Sequence, residues 1–149
     1  MKIHELGHIV LYVENLERSA EFYGKVLGWK RLPGKLGFPA AAFSSGRTHH
    51  ELLLIEVGEG AEALPEGRHL GLYHFGLKIG DSDEDLKEAI AVLEEAGVVV
   101  NGATDHTVTH SLYIQDPDGN EIELYIDVPG ADWRNDPDLF FSRPKRLEL

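Results

Sequence analysis

Residues 109–125 read THSLYIQDPDGNEIELY: two alternating runs around a turn. Asp116-Pro117-Asp118-Gly119 has the chemistry of that turn, because proline fixes φ and glycine accepts a positive φ that other residues avoid. Beyond it, Glu121, Glu123, Tyr125 and Asp127 fall on one face of a strand, and Ile122, Leu124 and Ile126 on the other. Carboxylates are poor strand formers. A strand that carries Glu121, Glu123 and Asp127 on one face either presents that face to water or has a positive partner for it. The rest of the chain bears on the choice.

The chain has 149 residues and 42% hydrophobic content, which suits one domain or two very small modules with a real core. It has no cysteine, which excludes a disulfide scaffold, a thiolate metal site and a cysteine nucleophile. The start, MKIHELGHIVLYV, lacks a basic region followed by an apolar run and a small-residue cleavage site. No stretch approaches the roughly 20 apolar residues that span a bilayer. A soluble cytoplasmic protein is expected. The net charge of -12 argues against nucleic acid or an anionic membrane as a partner.

Two halves of the chain look alike. GHIVLYVENLERSAEFYGKVLGWKRL begins at Gly7 and YHFGLKIGDSDEDLKEAIAVLEEAGVVV at Tyr73. Aligned without gaps, His8 falls on His74, Leu11 on Leu77 and Val13 on Ile79. Each half offers an apolar strand, a polar turn and an amphipathic helix. Leu16, Ala20, Tyr23 and Leu27 take helical spacing in the first, with Asn15 as N-cap. Leu86, Ile90 and Leu93 do so in the second, with Ser82 as N-cap and Asp85 three residues on. Gly28 and Gly97 suit the helix exits. Three strand-like runs follow each helix: residues 29–32, 40–43 and 51–57, then 98–100, 110–115 and 121–128. The pattern is β-α-β-β-β, twice, an α+β class. Module 1 covers about 1–57, a Gly-rich linker 58–71, module 2 about 72–128, and a tail 129–149 lies outside the repeat. The tail, with Trp133, Phe140 and Phe141, is expected to wrap the domain surface or a partner subunit, its basic cluster Arg143, Lys145 and Arg146 solvated.

The repeat has a chemical consequence. Equivalent strands of two pseudo-symmetric modules approach at a shared axis, so His8 and His74 could point into one cavity, with Glu123 within reach. Two imidazoles and one carboxylate form the facial set that suits non-haem Fe(II) and leaves coordination positions open. A divalent metal would also supply the positive partner for an inward carboxylate. Two registers of the corresponding strand in module 1 decide whether a fourth ligand exists. Matching residues 55–57 to 126–128 sets Leu52 opposite Glu123 and leaves an open face; this register is preferred because it aligns the whole strand end. Matching 55–56 to 122–123 makes Glu56 a fourth ligand. His50, Leu52, Leu54 and Glu56 share one face in either, which sets His50 near the metal.

Across nearly its whole length the chain resembles the vicinal oxygen chelate superfamily, which includes glyoxalase I, fosfomycin-resistance thiol transferases, bleomycin-binding proteins and extradiol dioxygenases. GHIVLYVENLERSAEFYGKVLGW and DPDGNEIELY carry the likeness at its two ends. Four stretches are most similar to the type I extradiol (catechol 2,3-) dioxygenases. GHIVLYV and YHFGLKI match the strands of their iron histidines, here His8 and His74, and NEIELY the strand of the glutamate ligand, here Glu123. THHELLLIEV matches the strand of a catalytic histidine, here His50. DHTVTHSLYIQDPDG resembles the segment that brings a histidine and a tyrosine to substrate, here His106 and Tyr113, with His110 competing for the histidine's role because the spacing is short.

The resemblance implies a half-open barrel of two βαβββ modules in a single domain, and Fe(II)-dependent cleavage of a small aromatic diol by O2. Attack beside the diol, rearrangement to a lactone and hydrolysis would give a muconic semialdehyde-type product. His50 would act as acid/base, Tyr113 would donate a hydrogen bond to a substrate oxygen, and His106 or His110 would help hold it. A lyase would use Ni(II) or Zn(II) with Glu56 as a fourth ligand. A thiol transferase would use Mn(II) and need cations for a phosphonate, for which Lys78 is the clearest candidate. A drug-binding module would need no metal. Glu121 and Tyr125 are expected beside Glu123 as its support, Asp127 in solvent, and His4, His49 and His69 on the surface or in loops. A homodimer is expected because open sheets have edges to cover.

Overall fold

The computed structural model describes residues 1–149. The chain forms two compact units, Met1–Leu64 and Pro65–Leu149. The division falls inside the Gly-rich linker expected at 58–71. Mixed strands and few helices give the α+β architecture of the vicinal oxygen chelate fold. No helix is long and apolar enough to cross a membrane.

The first unit is built from β1 (Ile9–Val13), α1 (Leu16–Glu21), β2 (Ala40–Phe43) and β3 (Leu52–Glu56), with strand order β1-β3-β2. Asn15 caps α1 as its sequence position predicts: its Oδ1 accepts from the Arg18 N–H at 2.9 Å. The helix then widens into a π turn over Phe22–Val26 before Gly28, at φ +69°, ends it. Leu16, Ala20, Phe22 and Tyr23 pack with Leu11, Val13, Ala41, Phe43, Leu52 and Leu54 into one apolar core. Burial of side chains this size contributes roughly 1.5–3 kcal/mol each. The strand expected at residues 29–32 does not form. Only an isolated bridge between Arg31 and Phe43 occurs there, so the first unit is β-α-β-β.

The second unit contains β4 (His74–Gly80), α2 (Asp83–Glu95), β5 (Gly102–Asp105), β6 (Thr109–Gln115), β7 (Glu121–Asp127) and β8 (Lys145–Arg146), ordered β4-β7-β6-β5-β8. The strand expected at 98–100 begins later, at Gly102. Ile122, Leu124, Ile126, Leu112, Ile114 and Phe75 bury against Leu86 and Leu93 of α2. Asp85 anchors the helix start, its carboxylate accepting from the Asp81 and Ser82 N–H groups at 3.0 and 2.9 Å. The Asp116-Gly119 turn is as expected. Gly119 has φ +89°, and buried Asp116 accepts from the Asp118 and Asn120 N–H groups. The tail returns to the sheet: β8 pairs with β5 and covers its edge. Lys145 and Arg146 are exposed there, while Leu147 is buried.

Strand pairing corrects both expected registers of β3. Ile9 pairs with Leu52 in the first unit and Phe75 with Ile122 in the second. With His8 on His74, Leu53 takes the place of Glu123. Glu56 lies on the helix side of β3, where its Oε2 accepts from the Leu16 N–H at 2.8 Å. It is a helix cap rather than a carboxylate on the face that corresponds to Glu123.

Candidate functional site

β7 carries Glu121, Glu123 and Tyr125 on the sheet face opposite its buried isoleucines and leucine. Parallel pairing aligns His74 with Glu121 and Gly76 with Glu123. His74 therefore stands between two carboxylates. Its Nε2 lies 3.3 Å from Glu123 Oε2, and its Nδ1 lies 3.3 Å from Glu121 Oε1. The Nδ1–Glu121 contact is close but out of line for a hydrogen bond, so both atoms remain buried without a partner. Gly76 makes room for this grouping. A Cβ there would sit 3.2 Å from the Tyr125 ring and 3.6 Å from Glu123 Oε2.

Antiparallel pairing of β6 and β7 aligns Tyr113 with Glu123. The Tyr113 hydroxyl donates toward Glu123 Oε1 at 3.3 Å, and His106 Nε2 is 2.7 Å from the same hydroxyl. Burial, then the neighbouring charge of Glu123, pushes the Tyr113 phenol well above its usual range. It stays a protonated donor across neutral pH.

His106 and His110 separate here. His106 sits in the turn between β5 and β6, beside Thr107, which adopts φ +72° and whose N–H is held by Asp105 Oδ1 at 2.6 Å. That turn delivers His106 to the Tyr113 side. His110 lies in β6 with the phase of Leu112 and Ile114 and faces the helix, 2.5 Å from Asp83 Oδ1.

A cavity of about 670 Å³ opens over this face. His74, His106, Tyr113 and Glu123 form its polar part, and Trp133, Phe140 and Phe141 from the tail form an aromatic part. The tail lies along the domain surface as expected, but its place over the cavity is not readable from the sequence, because residues 129–149 carry no periodic signal. Asp127 is exposed, and Lys78 is held by Asp81 and Asp127 at 2.7 and 2.8 Å. Those contacts raise the ammonium's pKa and leave it engaged rather than waiting for an anion.

In the first unit the structure brings His8, His49 and His50 together. The His8 and His50 rings lie 4.5 Å apart, and His49 Nδ1 is 2.6 Å from His50 Nδ1. Burial, then the charges of His49 and His8, lowers the His50 pKa, which favours the neutral, proton-accepting ring. Glu51 organises this loop. It accepts from the Ser45 N–H and hydroxyl and from Arg47 Nε. Arg47 in turn donates to the Leu6 and Gly7 carbonyls just before His8.

Residues 5–124 match the Glyoxalase/Bleomycin resistance protein/Dioxygenase superfamily. The chain belongs to this superfamily. It is 40% identical over 137 residues to the catechol-2,3-dioxygenase of Bacillus subtilis (strain 168), a match that covers 90% of this chain and 46% of that protein. The chain thus spans about half the length of that relative. It is 30% identical to a lactoylglutathione lyase of Neisseria meningitidis serogroup A, over 85% of this chain and 94% of that one. A glyoxalase/bleomycin resistance protein/dioxygenase domain from Frankia sp. superposes with a TM-score of 0.69 at 22% identity, over 85% of this chain and 99% of that one.

Superfamily membership implies a metal; the structure groups no three histidine or carboxylate donors that could hold one, and the second unit supplies a pair. An imidazole and a carboxylate adjoin, and the ring's other nitrogen has a carboxylate behind it. A small turn of the ring would bring that carboxylate into line, the arrangement that fixes the tautomer and orientation of a metal-ligating histidine. It also gives the unpartnered His74 Nδ1 and Glu121 Oε1 atoms a use.

Proposed function

We propose that the chain is an Fe(II)-dependent extradiol dioxygenase acting on a catechol-type substrate with O2. The observation that carries this reading is the run His106–Tyr113–Glu123–His74 along one wall of a cavity whose other lining includes Trp133, Phe140 and Phe141. The likeness to a catechol-2,3-dioxygenase supports the same reaction class. A cavity lined by no lysine or arginine is a poor site for a phosphonate or for the carboxylates of glutathione, and this favours the aromatic diol over the transferase and lyase readings.

His74 and Glu123 would hold the metal, and the likeness of GHIVLYV to the strand of an iron histidine names His8 as a further ligand. The metal held there would supply Lewis-acid and redox chemistry to the diol and O2. The remaining work falls to the chain's own groups. Glu121, 3.3 Å from His74 Nδ1, is the acceptor placed to take its N–H when the ring turns to a metal. Tyr113 donates its hydroxyl proton as a hydrogen bond to a substrate oxygen, and His106 orients that hydroxyl. His50, neutral near pH 7, takes a proton from the substrate and returns it. The aromatic tail keeps water from the ring. Both oxygen atoms of O2 enter the product as the carbon–carbon bond beside the diol breaks.

The test is anaerobic Fe(II) loading, then O2 with a panel of catechols. A yellow ring-cleavage product is expected, and its loss in His8→Ala and Glu123→Ala. An iron-loaded protein that cleaves none of the panel overturns the reading; turnover of a methylglyoxal–glutathione adduct with Ni(II) or Zn(II) would replace it with a lyase.

A further inference from the structure

The tail segment over the cavity is fastened at both ends. At its start the Val128 N–H donates to the Val108 carbonyl at 3.0 Å. At its end β8 pairs with β5, the Leu147 N–H donates to the Ala103 carbonyl at 3.3 Å, and Leu147 is buried. Residues 129–144 form a strap between these points. Its aromatic side chains are not there to fill a core: Trp133, Phe140 and Phe141 are 48%, 69% and 79% exposed. Three large exposed aromatic rings at a cavity are costly unless something apolar covers them. Phe140 and Phe141 meet edge to face at 5.3 Å, which presents a shaped wall rather than a loose patch.

The charge around this wall is equally informative. No lysine or arginine lines the cavity, whereas Glu123 and Asp127 do. Two cations near this wall are engaged, Lys78 with Asp81 and Asp127 and Arg134 stacked on the Trp133 ring at 4.3 Å, while Arg143, between the lining residues Ser142 and Pro144, is exposed and outside the lining. A substituent that carried a carboxylate would enter without a counter-ion and beside acidic groups.

We propose that the strap is the specificity element of this site, with Trp133, Phe140 and Phe141 receiving a neutral apolar substituent, aryl or alkyl, on the aromatic diol and disfavouring a carboxylate there. The proposal rests on the diol reading above, but binding by the strap is separable from ring cleavage. The probe is therefore a monohydroxy compound, which cannot bind a metal through two vicinal oxygens. Calorimetric titration of the metal-free full chain with 2-hydroxybiphenyl, phenol and 3-hydroxybenzoate reads the preference directly. The phenyl group should improve affinity over phenol by at least ~10-fold, the order expected for burying one ring face against apolar surface. The carboxylate should give no gain. In Phe140→Ala/Phe141→Ala the ratio of 2-hydroxybiphenyl to phenol affinity should fall to within about 2-fold.

Equal binding of 2-hydroxybiphenyl and phenol overturns the proposal, as does tighter binding of 3-hydroxybenzoate or a folded double variant that keeps the ratio. Should that variant not fold, Phe140→Leu/Phe141→Leu, with the wall's area reduced and its apolar character kept, should show an intermediate ratio; an unchanged one counts against the strap. An iron-loaded protein that shows this binding pattern and cleaves no diol overturns the proposed reaction and leaves the strap. One that cleaves a carboxylated catechol as well as a phenyl-substituted one overturns the strap and leaves the reaction.

Discussion

Tyr113 and Glu123 stand opposite one another in neighbouring strands, and the phenol oxygen lies 3.3 Å from Glu123 Oε1. The pair joins a donor that cannot ionise at neutral pH to a carboxylate proposed to hold a metal. The contact to Glu123 is long, so Tyr113 can turn its proton toward the substrate oxygen proposed to lie beside it. Tyr113→Phe removes that donor and leaves the ring that fills the space. Turnover should fall about 100-fold, the scale of one oriented hydrogen-bond donor. Metal content should stay at the wild-type level, measured on the same preparation. A variant that loses iron in proportion to activity would assign Tyr113 to metal retention instead.

His106 and His110 should give opposite phenotypes. His106 contacts the Tyr113 hydroxyl at 2.7 Å, so His106→Ala should lower turnover with little change in melting temperature. His110 contacts Asp83, the first residue of α2, at 2.5 Å. His110→Ala should leave turnover per folded molecule near wild type. It should cost about 1 kcal/mol of stability, the scale of one hydrogen bond to a charged group at a helix start. Thermal unfolding and steady-state kinetics on both variants decide the assignment.

Glu51 predicts an acid-sensitive loop. Burial alone would raise its pKa, but the Ser45 N–H and hydroxyl and Arg47 outweigh it and hold the carboxyl below its usual range. The folded state therefore releases this proton more readily than the unfolded one. The resulting stability is present above pH about 4.5 and is lost as pH falls through the lower folded value. Glu51→Gln should flatten the dependence of the melting temperature on pH in that acid window. It should also reduce activity at neutral pH, because Arg47 then loses a partner that positions it on the Leu6 and Gly7 carbonyls ahead of His8.

The alternation of β7 was legible because a period of two needs only its own residues, and the helices were legible from caps and spacing for the same reason. Features that depend on a neighbour were not. The register of β3 follows from its pairing with β1, and shape similarity between two strand ends could not supply it. Residues 29–32 look like a strand, yet their pairing is a single bridge at Arg31–Phe43, closed by the Leu32 N–H on the Ala42 carbonyl and the Ser44 N–H on the Lys30 carbonyl. The choice of His106 over His110 turns on Thr107 at φ +72°, a conformation that a β-branched residue rarely adopts and sequence would not suggest. That Glu123, His74 and Tyr113 adjoin along one cavity accords with the repeat and the family likeness. The tail's aromatic wall was not legible, because position over a cavity leaves no periodic trace in a chain.

Glu121 offers a case in which function and stability should move in opposite directions. Its Oε1 and His74 Nδ1 are both buried and unpartnered, a state that costs stability in the metal-free chain. Removing the carboxylate by Glu121→Ala takes away one of the two unsatisfied atoms and a negative charge close to Glu123. The metal-free protein should therefore melt at the wild-type temperature or above it. Metal binding should suffer, since His74 loses the acceptor that would come into line with its Nδ1–H when a metal binds; losses of such supporting carboxylates run about 10- to 100-fold in affinity. Glu121→Gln, which keeps an acceptor oxygen, should fall between. Unfolding curves with and without added Zn(II) measure both effects in one experiment. A metal affinity that Glu121→Ala leaves unchanged would show that His74 needs no support from behind, and would remove the main structural reason for naming it a ligand.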